Sequence, residues 1–453
     1  MTRQKDLFVH LYCPTLMQFQ LSMTTAKSID VLPGETPLGR AIKLIGIGKY
    51  GSKPMPAELI TECRESLLSG TAHPLQVGAF IGALLTKGPT AEERTLETCF
   101  GREAFSHPTF LVNKLCPDLP VNLLPVATKL LRGQLLQVSE ARQLGDYLFG
   151  DFAPEHDCET FRGMAVSIMR VRHETNDEYQ GLYQAVMETV APRFRDDKPI
   201  GPTRPIVQLA EPFDGVEHSY LITPILARFF QVRGYGALSM VGRTPGPKST
   251  LNAHDLYMHM NCEFVLNHAE LTAAPREGYG WVLDQKALSP ALDRWVDRRR
   301  VLLKRPFLST LEKVVNPARA RILVTSVFHI TYQMKMAELA MMAGFDAVIV
   351  LKRGLEGSLA PSTARATGVL CAVRTSENHL SCQNFDADRP AFAQFKRETD
   401  LEISDPQATE NARLVKTYLA QQETGNDDFD NRVRFALALY GRGLDWIEGQ
   451  LGK

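Results

Sequence analysis

From about residue 38 to 192, apolar positions recur at helical spacing. Ile60, Cys63 and Leu67 fall at i, i+3 and i+7, as do Ala141, Leu144 and Leu148, so each set lies on one face of a predicted helix. Past residue 204 the pattern changes to short apolar runs alternating with helical stretches: 205–210 then 222–232, 321–328 then 331–343, and 347–351 after Gly344. Ile322-Leu323-Val324 and Val348-Ile349-Val350 are aliphatic throughout, as strands covered on both faces require, and the Met- and Ala-rich stretch between them completes a βαβ unit. The pattern predicts an α/β protein: an N-terminal all-α domain followed by an α/β domain with a mostly parallel sheet.

The helical region also repeats itself. Residues 58–70 (ELITECRESLLSG) end in Leu-Leu-Ser-Gly, and 140–150 (EARQLGDYLFG) end in Tyr-Leu-Phe-Gly. Each is followed by a proline (Pro74, Pro154), an apolar helix (80–85, 161–169), and then Thr90-Ala91-Glu92-Glu93 or Thr175-Asn176-Asp177-Glu178. Threonine ahead of acids in a first turn caps a helix and suits its dipole. A duplicated module is the simplest account, with chance likeness of amphipathic helices as the alternative. The expected organisation is a poorly ordered tail (1–37), helical modules at 38–127 and 128–194, a polar linker at 195–204 (RDDKPIGPTR), and an α/β domain over 205–453.

A length of 453 residues calls for more than one domain. Lys+Arg and Asp+Glu both number 51, so no whole-chain field draws the protein to nucleic acid or an acidic membrane, although a local basic patch is compatible with this balance. The 8 cysteines contain no CxxC pair, which argues against a zinc ribbon, a thioredoxin-type motif or a disulfide framework, and fits a reducing, cytoplasmic setting. No apolar run approaches the ~18 residues of a membrane span. Residues 8–23 are fairly apolar but broken by His10, Gln18 and Gln20; an organelle transit segment is the alternative to a tail.

Ligands of parallel sheets sit outside the carboxyl ends of the strands, so the informative loops are 211–218, 326–332 and 352–358. A fourth, 242–255 (GRTPGPKSTLNAHD), offers backbone amides with Gly242, Arg243 and Lys248 to a phosphate, or is an ordinary turn. His329 stands where a general acid/base or phosphate ligand is useful, and equally where a histidine caps a helix. Glu356, with Glu211 or Asp214, could share a Mg²⁺ through water, or is an exposed loop acid. The run Arg294, Arg298, Arg299, Arg300, Lys304 and Arg305 reads as an anion or nucleic-acid surface, or as a helix face paired with Asp293 and Asp297; the acidic stretch 386–430 is a further candidate to offset it.

The order of motifs resembles the anthranilate phosphoribosyltransferase family. Its marks are Leu-Leu-Ser-Gly followed by Pro74-Leu75-Gln76, Gly78-Ala79-Phe80 and Leu84-Leu85-Thr86-Lys87-Gly88, then Asp214-Gly215, Arg299-Arg300 with Arg305, Asn316-Pro317, Glu410-Asn411-Ala412 and Ala436-Leu437-Ala438-Leu439-Tyr440. The resemblance implies a helical domain on an α/β domain of nucleoside phosphorylase/phosphoribosyltransferase type. It also implies a homodimer through the helices, and pentosyl transfer from phosphoribosyl pyrophosphate held with Mg²⁺. The chain departs from the family where pyrophosphate is held. In place of Gly-Thr-Gly-Gly-Asp-Gly it has Ala210-Glu211-Pro212-Phe213-Asp214-Gly215; the family's lysine and asparagine fall on Met240 and Arg243, and its metal-binding Asp-Glu on Glu356-Gly357. Arg353-Gly354-Leu355-Glu356-Gly357 resembles a divergent branch of that family which includes nucleic-acid binders.

The combined expectation is a pentosyltransferase-like protein acting on a phosphorylated sugar or other anionic small molecule. Glu211, Asp214 and His329 are the catalytic candidates, and Gly215, Thr223, Gly242, Arg243, Lys248, Arg300 and Arg305 hold substrate, with Glu356 as metal ligand. A non-catalytic nucleic-acid or phospho-ligand binder on the same scaffold is the alternative. If Phe213 and Pro212 plug the crevice and no arginine or lysine turns inward, the transferase reading falls.

Overall fold

The computed structural model describes residues 32–452 apart from 49, 153–156, 196–203, 247–250, 273–275 and 277. Most of the expected tail, most of the expected linker and Lys248 therefore lie outside the described residues. Of the residues assigned to the tail, Pro37 opens the first helix (Pro37–Ile45) and Thr36 caps it: the Thr36 hydroxyl accepts from the Gly39 N–H and donates to Gln76.

The sheet has seven strands: β1 (Ile206–Ala210), β2 (Gly236–Val241), β3 (Trp281–Asp284), β4 (Ile322–Val327), β5 (Ala347–Lys352), β6 (Gly368–Arg374) and β7 (Leu380–Asp386), in the order β3-β2-β1-β4-β5-β6-β7. Pairings from β3 through β5 are parallel; β6 and β7 are antiparallel additions. Strands β1, β4 and β5 fall on the runs expected from the aliphatic pattern.

Side chains alternate between two cores, as a pleated strand demands. Ile206, Ala210, Leu323, Val348 and Val350 face one core, which continues into the N-terminal helices and the helix Gln333–Met342. Val207, Leu209, Val324, Ile349 and Leu351 face the other, covered by the helices Thr223–Val232, Ala408–Gln421 and Asp427–Leu451. The helices that follow β1 and β4 thus lie on opposite faces although the two strands are neighbours. Their departing loops diverge and leave a crevice at the carboxyl edge.

The two helical stretches read as modules share a hydrogen-bond pattern. In the first module Glu93 closes a capping box with Thr90 and accepts from the Met55 N–H (2.9 Å) and from Lys87 (2.7 Å). In the second, Glu178 closes one with Thr175 and accepts from the Leu136 N–H (2.9 Å) and from Arg172. The apolar helices Pro74–Lys87 and Glu159–Arg172 cross at matching glycines. A Cβ on Gly78 would sit 1.7 Å from the Thr160 carbonyl oxygen, and one on Gly163 2.0 Å from that of Leu75, so any side chain there drives the helices apart.

The helix Pro290–Leu302 ties the helical and sheet-bearing parts together. Trp295 Nε1 donates to the Leu148 carbonyl (2.9 Å), Gln76 donates to that of Val301 (3.1 Å), and Arg298 pairs with Asp157 and Glu159. The basic run is mainly an internal fastening. Its other arginines pair with Asp151, Asp214, Asp297 and Glu312, not with the acidic stretch 386–430. Arg305 lies past the end of the helix.

Candidate functional site

The loops leaving β1, β4 and β5 converge on a cavity of about 270 Å³ in the crevice, roofed by Arg170, Glu174 and Tyr179 from the helical part. Of the expected residues, Glu211, Asp214, Gly215, Arg305, His329 and Glu356 line it.

Glu211 directly follows β1 and is 1% exposed. Its carboxylate accepts from the Thr223 hydroxyl (2.5 Å) and the Leu359 N–H (2.8 Å). Burial outweighs these bonds and pushes its pKa up from 4.5 to about 7. Lys313, partly buried on the helix Leu308–Val314, donates to the Ser326 carbonyl (2.8 Å); burial lowers its pKa from 10.5 to about 8, against the pull of Asp214 and Glu211. Burial thus moves an acid and a base in one wall toward neutrality from opposite sides. Glu174 in the roof is also raised by burial, to about 6.

Asp214 joins a closed ion network. Arg299, 2% exposed, donates to Asp214 (3.0 Å) and to both oxygens of Glu312 (2.6 and 2.9 Å), while Arg305 reaches the second Asp214 oxygen at 2.5 Å. Gly215 has φ +77°, and a Cβ there would meet the Leu251 carbonyl oxygen at 2.2 Å, so the Asp214-Gly215 turn requires glycine.

Several expected substrate contacts have other duties. Thr223 holds Glu211. Gly242 lies beneath the Phe213 ring, where a Cβ would come within 2.9 Å. Arg243 pairs with Asp293 (2.9 Å) and Asp297 (3.2 Å), and Arg300 donates to the Thr244 carbonyl (2.7 Å) and pairs with Asp297 (3.3 Å); neither lines the cavity. His329 takes the N-cap position of the short turn Ile330–Tyr332 through its backbone, with no side-chain capping bond among the described residues; the ring is exposed at the mouth, edge-on to Phe328 with ring centroids 5.1 Å apart.

The residues present do not fit a protein-held Mg²⁺. Glu356, at φ +53°, accepts from the backbone of Glu217 and His218 (2.8 Å each) and from the Ser219 hydroxyl (3.0 Å), so its carboxylate pins the loop after β1. Asp214 is taken by two arginines. No cluster of three or more His, Cys, Asp or Glu side chains among the described residues is arranged to hold a metal. Phe213, 5% exposed, fills the space over Gly242, and Pro212 in the cavity wall has no N–H to give. Yet Arg170, Arg305 and Lys313 do line the cavity, Arg305 paired with Asp214 and Lys313 donating to the Ser326 carbonyl.

Sequence reasoning missed Arg170, Glu174, Glu312 and Lys313. Glu312-Lys313 left a signal, since adjacent charges stand between Leu311 and Val314-Val315 ahead of Asn316-Pro317. Arg170 left none, because it stands in the last turn of the helix Glu159–Arg172, just past the apolar stretch 161–169 that reads as core. Among the recognised motifs, Asn316 closes a local turn and Asn411 ties distant segments: each side chain bonds both the N–H and C=O of one residue, Ala320 and Leu221 respectively.

No protein-family model matches the chain. A protein of Aquifex aeolicus (strain VF5), described as uncharacterized, is 28% identical over 244 residues, covering 48% of this chain and 67% of that protein. Among solved structures, anthranilate phosphoribosyltransferase from Thermus thermophilus is similar at 21% identity and TM-score 0.49, over 68% of this chain and 86% of the other. The Saccharomyces cerevisiae enzyme in complex with PRPP and Mg is similar at 14% identity and TM-score 0.44, over 87% and 92%. Likeness at this level assigns neither a family nor an activity to the chain.

Proposed function

We propose that the crevice binds a phosphorylated pentose and that the protein is phosphoribosyltransferase-like, moving a pentosyl group to an acceptor the site does not name. The observation that carries this reading is that Arg170, Arg305 and Lys313 line the cavity beside Glu211 and Asp214 at the sheet's switch point. The cations suit an anionic ligand, and the carboxylates suit the positive charge that develops on a ribose as its C1 substituent leaves. Glu211 supplies that field once ionised, above about pH 7. The geometry does not favour diphosphate at the loop after β1, where Phe213 and two acids stand.

Calorimetry is the test. Ribose 5-phosphate is expected to bind with no loss on adding EDTA, and phosphoribosyl pyrophosphate with Mg²⁺ to bind no more tightly. No heat from ribose 5-phosphate at millimolar concentration removes the pentose reading. Mg²⁺-dependent tightening by the pyrophosphate would instead restore the loop as its cradle.

A non-catalytic phospho-ligand binder is the second reading, favoured by the commitment of Asp214 and Glu356 to protein donors. As a nucleic-acid surface the basic run is a poor candidate, because Arg294, Arg298, Arg299, Arg300 and Arg305 all have acidic partners. Steeply salt-dependent binding of single-stranded DNA would overturn that judgement.

A further inference from the structure

A second cavity, of about 360 Å³, adjoins the first and shares Phe328, His329 and Glu356 with it. It is walled by the loops after β4 and β5 and by Ser362 and Arg365. The two cavities differ in charge. In the first, Asp214 and Glu312 oppose Arg299 and Arg305, and Glu211 opposes Lys313. In the second, Arg353 and Arg365 face a single carboxylate, Glu356, already engaged by the amides of Glu217 and His218 and the hydroxyl of Ser219.

Among the described residues, neither the Arg353 nor the Arg365 guanidinium makes a hydrogen bond or ion pair, in contrast to the arginines of the basic run. Their backbones are nonetheless fixed. The Arg353 N–H donates to the Val327 carbonyl (3.0 Å), the next residue, Gly354, bridges to Pro361, and the Arg365 N–H donates to the Ser362 hydroxyl (2.8 Å). Two forked, uncompensated cations on anchored loops make a recognition element for a phosphate group. Phe328 (52% exposed) and Ile330 (50%) add an apolar lip beside them.

We propose that Arg353 and Arg365 form an anion subsite that holds a phosphate of the ligand, while its pentose lies in the first cavity. This rests on the pentose reading for the first cavity only; the subsite itself stands on the two arginines. It places the anion site on the loops after β4 and β5, in place of the loop after β1 that Phe213 occupies.

The experiment is calorimetry with two probes, inorganic pyrophosphate and ribose 5-phosphate, on the wild type, Arg353→Gln, Arg365→Gln and the double variant. Both side chains are exposed, and circular dichroism is expected to show an unchanged fold. Each single change is expected to weaken both probes roughly tenfold, and the double change roughly a hundredfold, as loss of charge-assisted bonds predicts. Unchanged affinity in the double variant overturns the subsite and leaves the pentose reading standing. Arginine-dependent pyrophosphate binding without ribose 5-phosphate binding supports the subsite and removes the pentose. A wild type that binds neither probe overturns both. Loss of single-stranded DNA binding with pyrophosphate binding intact also overturns the subsite, in favour of a polymer-binding surface.

Discussion

Arg299→Met is expected to destabilise the protein by about 3–5 kcal/mol, the range for removing one partner of a buried ion network. The guanidinium is the sole link between Asp214 and Glu312 in the described network. Asp214 keeps Arg305 after the change, but Glu312 loses both bonds at 2.6 and 2.9 Å and is left as a desolvated carboxylate. Burial already raises the Glu312 pKa against the pull of Arg299, so the stranded group takes up a proton or drags water into the core. Urea unfolding reads the loss as a lower midpoint. Adding Glu312→Leu is expected to recover most of it, because an apolar pair of similar volume replaces buried ions at little cost. A single variant within about 1 kcal/mol of wild type would show that the network is already hydrated or slack.

Glu211→Gln is expected to flatten the acid side of the stability profile. The folded protein holds the Glu211 proton more tightly than the unfolded chain, with a pKa of about 7 against an ordinary 4.5. Its contribution is therefore complete below about pH 4.5 and is lost as pH rises through 7, a change of about 3 kcal/mol by proton linkage. Lys313 acts at the other end. Its pKa is lowered from 10.5 to about 8, so its cost is present below 8 and is relieved as pH climbs toward 10.5. These two groups place a shallow minimum in stability between about pH 7 and 8, where both are charged. Glutamine mimics the protonated acid: its carbonyl accepts from the Leu359 N–H and its amide meets the Thr223 hydroxyl. The variant should hold its stability from pH 5 to 7 while the wild type declines. Parallel slopes for the two proteins would mean that Glu211 titrates normally.

How legible this site was in the sequence depended on what each residue answers to. Strands β1, β4 and β5 were readable because they are central, covered on both faces and so aliphatic. β2 begins at Gly236 and carries Ser239, whose hydroxyl is bonded to Tyr257 (2.7 Å), and β7 is a polar edge strand, so neither presents an apolar run. The three strand-end loops named for the site do line it, because the carboxyl edge of a parallel sheet follows from topology alone; no described residue of the fourth, 242–255, lines it, and residues 305–313 and the helical part complete the wall. The charged residues were harder. Arg243 and Glu356 looked available to a ligand, yet their partners lie about 50 to 140 residues away in sequence, beyond any local pattern, whereas the Arg300–Asp297 pair is the i,i+3 contact that the helix-face reading offers. Arg353 stood in a recognised motif, but its lack of a partner is a property of the folded surface.

The most direct measurement is a crystal structure of the protein soaked with ribose 5-phosphate. The account predicts the pentose between Glu211, Asp214 and Lys313, with its phosphate on Arg353 and Arg365. Sugar density elsewhere, or an empty crevice at saturating ligand with Phe213 and Pro212 closing the edge, would contradict it.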